Sequence, residues 1–132
     1  MPPSDAAFPV RFPGLPEVPE TDCGDQPMFR GLVRARIARQ ASATGELTVM
    51  LTTFAPGAST VWHTHESEQA LLVTAGAGAL EDTDGVHPLH AGDVVTVPRG
   101  RPHRHLAGDG SSMTHLSVTT HGAHHLLPDP QH

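Results

Sequence analysis

The residues with the clearest chemical potential are histidines at short spacing in the middle of the chain. His63 and His65 are two apart in a segment that predicts a β-strand, so both imidazoles project from the same face. Gln69 follows a short turn, and His103 follows the turn formed by residues 98–100. Three imidazoles and one amide oxygen are a donor set that suits a divalent first-row metal. The spacing therefore predicts one metal site, built from His63, His65, Gln69 and His103.

Two further histidines are candidates for proton transfer. His105 shares a strand face with His103, so it could be a fifth ligand or a base beside the metal. His115 lies on the last clear strand, on the polar face that also carries Ser117 and Thr119. Alternation alone does not decide which face of that strand points inward. Because imidazole titrates near neutrality and the chain has neither Lys nor Tyr, His115 is the first choice for a general base and His105 the second.

The composition restricts the class of protein that can carry this site. The chain has 132 residues, the size of one domain, and its 8 basic and 14 acidic residues give a net charge of −6. An acidic surface repels phosphate backbones, which argues against nucleic-acid binding. No apolar run is long enough for a membrane span. The single Cys23 excludes an internal disulfide, so we expect a cytoplasmic protein that acts on a small molecule.

Strand-like segments with turns between them occupy the chain from residue 28 onward. They alternate polar and apolar residues or are rich in Val, Thr and Leu, and they recur about every 8–12 residues. The predicted strands are 32–38, 46–54, 60–65, 70–74, 94–97 and 113–120. This pattern predicts an all-β sandwich or barrel over residues 28–120. Residues 1–27 hold seven of the 13 prolines and predict an N-terminal arm, and residues 121–132 predict a tail.

Two spaced motifs in this sequence resemble those of the cupin superfamily. The first comprises Gly57, the His63-Thr64-His65 run, Gln69 and Gly76; the second comprises Gly92, the Pro98-Arg99-Gly100 turn and His103. The resemblance implies a small single-domain jelly-roll β-barrel with one metal near its centre, commonly as a homodimer. It also implies that His63, His65 and His103 are metal ligands.

The sequence departs from the family pattern at two positions. Gln69 stands where the first motif usually has Glu, and Ala107 stands where the second usually ends in Asn. A neutral amide leaves the whole +2 charge of the ion in place, which makes it a stronger Lewis acid and disfavours higher oxidation states. The departure at Gln69 therefore favours non-oxidative chemistry. Zn(II) is the favoured metal, with Fe(II), Mn(II), Ni(II) and Co(II) as alternatives.

Three functions remain open on the sequence alone. The first is a metal-dependent cyclase, isomerase or lyase acting on an enolisable carbonyl compound, since the chain looks like the small cupins that act as polyketide cyclases. The second is an Fe(II)- or Ni(II)-dependent dioxygenase, against which only Gln69 argues. The third is a non-catalytic cupin that binds a small molecule. The barrel fold is common to all three and does not distinguish them.

Overall fold

The computed structural model describes residues 14–130, and nearly all of its regular structure is β-strand. A single 3-10 turn, Leu15–Glu17, precedes the strands. Within this range the strands are β1 Thr21–Asp22, β2 Phe29–Arg30, β3 Val33–Arg39, β4 Leu47–Phe54, β5 Ser59–Thr60, β6 His63–His65, β7 Gln69–Asp82, β8 Gly85–His90, β9 Val94–Val97, β10 His103–Ala107, β11 Met113–Thr120 and β12 His124–Leu126. None of the described residues belongs to a helix that could cross a bilayer. The all-β prediction is confirmed.

Antiparallel pairing links the strands into one strongly curled sheet. The main path runs β1-β3-β4-β11-β7-β10-β5-β2, while β8 and β9 add to β7, and β6 pairs with both β10 and β12. The long strand β7 connects two surfaces, because its first half pairs with β9 and β11 and its second half pairs with β8 and β10. A strand shared in this way brings the inner faces of the two surfaces together.

The interior is lined by alternate residues of the strands. On β11 the buried positions are Met113, His115, Ser117 and Thr119, which places the polar face of that strand inside. The apolar part of the interior includes Val33, Phe54, Val73 and Met113, each at most 1% exposed. The interior is therefore apolar on one side and rich in imidazoles and hydroxyls on the other.

Several predicted strands have different limits in the structure. The predicted strand 60–65 is two short strands, β5 and β6, and the predicted strand 70–74 is only the first part of β7. Strand β7 continues through Gly76, whose backbone φ of +75° is the left-handed conformation that glycine tolerates. The pairing of β7 with β11 shifts register close to this point. A local irregularity, not a chain break, explains the glycines in this stretch.

Both flanking segments contain residues that pair with the barrel. In the predicted tail, β12 pairs with β6, with His124 opposite His65. In the predicted arm, β1 pairs with β3; the first 13 residues of the arm lie outside the described residues. The boundaries at residues 27 and 120, and the homodimer, stay predictions.

Candidate metal centre

Two neighbouring strands bring the predicted metal ligands together. His63 and His65 are the two buried residues of β6, and the Thr64 between them faces the other side. Strand β10 lies beside β6 with His103 directly opposite His63. The imidazole centroids of His63 and His103 are 4.3 Å apart, and those of His65 and His103 are 5.0 Å apart. Spacing in the sequence and pairing in the sheet therefore converge on one cluster.

Each of these three imidazoles is held by a backbone carbonyl. Nδ1 of His63 donates to Val61 O at 2.8 Å. The Nδ1 atoms of His65 and His103 donate to the carbonyl oxygens two residues away, at 2.6 and 2.8 Å respectively. A carbonyl only accepts, so each Nδ1 carries the proton and each Nε2 keeps its lone pair. The tautomer that a metal requires is thus fixed before any metal binds.

The amide of Gln69 is also oriented by a hydrogen bond. Its Nε2 donates to Ser117 Oγ at 2.7 Å, which leaves Oε1 without a hydrogen-bond partner. Nε2 of His65 and Nε2 of His103 are also buried and unpartnered. Buried polar atoms without partners are rare and costly. These three unpartnered atoms, two imidazole nitrogens and one amide oxygen, fit the donor set of a divalent first-row metal together with the imidazole of His63.

His105 lies beside His63 and His103. Within residues 14–130, ligand nitrogens of His63, His103 and His105 all lie within 4.8 Å of one another. Three buried histidines could therefore form a metal site, and His105 is one of the three. His65 and Gln69 line the same cavity as His63 and His105, so this region offers further donors to a metal.

Burial keeps the imidazoles of His63 and His103 neutral. Burial, with the neighbouring His103, lowers the pKa of His63 to about 3, and burial lowers the pKa of His103 to about 4. Among the described residues that line the cavity beside them there is no carboxylate. Neutral imidazoles can bind a cation. Asp82, which lies opposite His103 in the sheet, is a carboxylate close enough to act on that imidazole.

A second pair of imidazoles lies next to the cluster. Nδ1 of His105 and Nε2 of His115 are 3.0 Å apart, so one donates a hydrogen bond to the other. Both side chains are at most 3% exposed. Burial lowers the pKa of His115 to about 4, and burial together with His115 lowers the pKa of His105 well below its usual value. Nδ1 of His115 has no partner and remains available to a ligand.

A cavity of about 260 Å³ joins these groups to an apolar region. Its polar end includes His63, Gln69, His105 and His115, and its other walls are mainly apolar. Phe54 contacts the ring of His115 at a centroid distance of 5.4 Å. A cavity of about 150 Å³ suffices for benzene. The arrangement can therefore hold one small aromatic or aliphatic molecule with its polar group toward the histidines.

Two cavity residues were not predicted from the sequence. His124, placed in a tail by the sequence, lies on β12, lines the cavity and has its ring centroid 5.6 Å from that of His65. The short run around it has no strand periodicity that could have identified it. Thr52, 1% exposed, also lines the cavity. It lies between Leu51 and Thr53 in a strand with threonines on both faces, so composition gives no signal.

The chain is similar in sequence or in structure to several known proteins. The model of the Cupin domain matches residues 50–119. The chain is 41% identical over 96 residues to the (R)-mandelonitrile lyase of Granulicella tundricola. The aligned residues cover 72% of this chain and 73% of that protein. It is similar in structure to a cupin-like protein from Thermotoga maritima, with 29% identity, a TM-score of 0.74, and coverage of 79% of this chain and 82% of the other. The polyketide cyclase RemF from Streptomyces resistomycificus superimposes with a TM-score of 0.77 at 19% identity, covering 92% and 88% of the two chains.

Proposed function

Since the chain belongs to the cupin family, we propose that it is a metal-dependent lyase that splits small cyanohydrins into an aldehyde and hydrogen cyanide. The observation that carries this proposal is the neutral, buried His105–His115 pair, which lines the same cavity as His63, His65 and Gln69. The relative at 41% identity, a mandelonitrile lyase, supports the choice of substrate class. The proposal narrows the non-oxidative chemistry predicted from Gln69 to one type of bond cleavage.

The cavity suits such a substrate in its division into polar and apolar parts. An aromatic cyanohydrin has an apolar ring at one end and a hydroxyl and a nitrile at the other. The ring would pack against Phe54 and the neighbouring apolar wall, and the hydroxyl would face the histidines. Burial of the ring supplies binding energy without using any polar group needed for the reaction.

Proton transfer in this reaction needs one base that becomes an acid. His115 takes the hydroxyl proton of the cyanohydrin at its unpartnered Nδ1. The electron pair of the O–H bond then forms the C=O bond, and the bond to the nitrile carbon breaks with its electrons on cyanide. The imidazolium returns the proton to cyanide, so the products are the aldehyde and hydrogen cyanide. His105, hydrogen-bonded at Nε2 of His115, orients the ring and shares the positive charge.

A divalent metal held by His63, His65, Gln69 and His103 would polarise the substrate oxygen or nitrile as a Lewis acid. The neutral amide of Gln69 would leave more of the ion's charge in place than a carboxylate ligand would. His105 is either a further ligand or the partner of the base. The two roles exclude each other. A base at Nδ1 of His115 donates from Nε2 to Nδ1 of His105, so Nε2 of His105 carries the proton and cannot bind a metal.

The test is turnover of mandelonitrile by protein loaded separately with Zn(II), Mn(II) or Fe(II). We expect benzaldehyde and cyanide in equal amounts, no oxygen uptake, and one enantiomer consumed faster than the other. The matched control is His90→Ala, which removes an exposed histidine far from the cluster. Its rate should equal that of the unaltered protein.

The remaining readings give different results in the same assay. Substrate-dependent oxygen uptake would replace the lyase with a dioxygenase. Binding of mandelonitrile without any turnover by all three metal forms would support a non-catalytic binding protein. A polyketide cyclase is supported only by the sequence resemblance and by a fold match, so cyclisation without cyanohydrin cleavage would also contradict the proposal.

A further inference from the structure

Thr52 is a buried polar residue that none of the roles described above uses. Its side chain is 1% exposed and lines the cavity, and its Oγ1 has no hydrogen-bond partner. A buried hydroxyl without a partner is an unusual and unfavourable feature. It is explained if a ligand supplies the missing partner.

The pairing of the strands shows which group lies beside this hydroxyl. Strand β4 places Thr52 between Ala35 of β3 and His115 of β11, each directly opposite it in the sheet. Ala35 offers only a methyl group. His115 has its own unpartnered buried atom, Nδ1. Directly opposite residues of an antiparallel pair have Cα atoms about 4.5–5.5 Å apart, so both unsatisfied atoms face the same part of the cavity.

One chemical group can satisfy both atoms at once. An alcohol hydroxyl donates one hydrogen bond and accepts others. It can therefore donate to Nδ1 of His115 while it accepts from Oγ1 of Thr52. A nitrile or a carbonyl only accepts, and a hydrocarbon does neither. We propose that Thr52 and His115 form a binding site for the substrate hydroxyl, and that Thr52 selects alcohols over ligands of the same shape that lack the hydroxyl.

This inference rests on the proposed function for the identity of the substrate but not for the presence of the site. In cyanohydrin cleavage, the same hydrogen bond to His115 lies on the path of the departing proton. Thr52 would then hold the substrate oxygen while its charge changes. Thr52 is a binding residue that fixes the orientation of the substrate, whereas His115 is the group that exchanges the proton.

A binding experiment without turnover tests the site. Benzyl alcohol and toluene have nearly the same shape and differ by the hydroxyl. Their dissociation constants are measured by calorimetry or ligand-observed NMR with the metal-loaded protein. The variants are Thr52→Val, which removes the hydroxyl at nearly constant volume, and Thr52→Ser, which keeps it. Thr53→Val is the matched control, because Thr53 Oγ1 faces the other side of β4 and is 3.0 Å from Thr114 Oγ1.

We expect Thr52→Val to weaken benzyl alcohol binding about three- to tenfold, with toluene binding equal or tighter. Thr52→Ser and Thr53→Val should keep the preference for the alcohol. Thr52→Val should also leave the resistance to urea unchanged or raised, because the hydroxyl it removes has no partner in the ligand-free protein. Thr53→Val should lower that resistance.

Three results would overturn the inference. These are the absence of any preference for benzyl alcohol in the unaltered protein, an unchanged preference in Thr52→Val, or a clear loss of stability in Thr52→Val. The second would mean that only water occupies the site, and the third that the hydroxyl has a structural role. If the preference follows Thr52 while mandelonitrile is not cleaved, the proposed function fails and the hydroxyl site stands.

Discussion

His63 and His65 each donate a hydrogen bond from Nδ1 to a backbone carbonyl oxygen, which leaves Nε2 for a metal. Replacing both by Ala removes two of the proposed donors while a hydrophobic core centred on Phe54 and Val33 remains. We expect the double variant to lose stoichiometric metal, measured by elemental analysis, and to keep the β-rich circular dichroism spectrum. His87→Ala, at an exposed position, should keep full metal content. Undiminished metal in the double variant would contradict the site.

Gln69 decides how much positive charge the site retains. In Gln69→Glu an anionic oxygen adds Coulomb attraction, so metal binding should be kept or tightened. Turnover should nevertheless fall, about tenfold or more, because a carboxylate reduces the Lewis acidity that polarises the substrate. Metal affinity and the rate are measured on the same preparation. Full turnover with an unchanged pH dependence would show that the amide has no chemical role.

His115 and His105 are distinguished by the pH dependence of the reaction. A general base must be deprotonated to act, so the rate of the unaltered protein should fall on the acidic side of its profile. His115→Ala should lower the rate by about 10²–10⁴-fold and remove that acidic limb, with metal content intact. His105→Ala should lower the rate and keep the limb, unless His105 is itself a ligand, in which case metal is lost. Wild-type rates in both variants would assign proton transfer to another group.

For single residues, the sequence predicts which polar side chains belong to the candidate site better than it predicts their contacts. The spacing of His63, His65, Gln69 and His103 identifies a candidate cluster, and whether these four are the ligands stays a prediction. The 3.0 Å contact between His105 and His115 joins strands that are not neighbours in the sheet. Such a contact depends on how tightly the whole barrel curls, which alternation within one strand does not show.

At the level of elements, the irregularity in β7 depends on a close backbone approach. A Cβ at Gly76 would overlap the carbonyl oxygen of Ser112, and the residue has a φ of +75°. Gly57 has a φ of +77° and no heavy atom within 4 Å of such a Cβ. Both Ala variants suffer the left-handed backbone cost of about 1–2 kcal/mol. Gly76→Ala should therefore lose about 1–3 kcal/mol more, from overpacking.

Urea denaturation of the two glycine variants measures this difference directly. Because the backbone angles are nearly equal, the contact with Ser112 is the main difference between the two positions. Equal losses of stability would mean that β7 and β11 can separate at this point at little cost. The comparison thus tests the close approach of β7 to the residues at the start of β11, and not only the backbone conformation of one glycine.

Strand limits were predicted best where the sequence has a regular alternation and clear turns. The predicted strands 94–97 and 113–120 coincide with β9 and β11. Strand β12 was missed because three residues, His124–Leu126, have no alternation of their own. Its formation depends on the open edge of β6, to which it pairs. Short strands of this kind are set by tertiary contacts and not by local sequence.

For the whole molecule, the buried imidazoles make the stability of the metal-free protein depend on pH. The pKa of His63 in the folded protein is lowered to about 3, and those of His103 and His115 to about 4, in each case mainly by burial. In the unfolded chain these groups have the ordinary pKa of about 6.5. Between these limits the unfolded chain binds more protons than the folded one. Acid therefore favours unfolding, and stability rises with pH across this window.

We expect the free energy of unfolding of metal-free protein to fall on the order of 7 kcal/mol between pH 7 and pH 5, because the pKa of His105 is lowered as well. Urea denaturation at a series of pH values measures this fall. His115→Ala should reduce the fall by about one quarter, because it removes one of four similar contributions, those of His63, His103, His105 and His115. His90→Ala should not change it, since His90 is exposed. A free energy of unfolding that is flat between pH 7 and pH 5 would mean that these buried histidines take up protons as readily in the folded, metal-free protein as in the unfolded chain. That result would contradict the prediction.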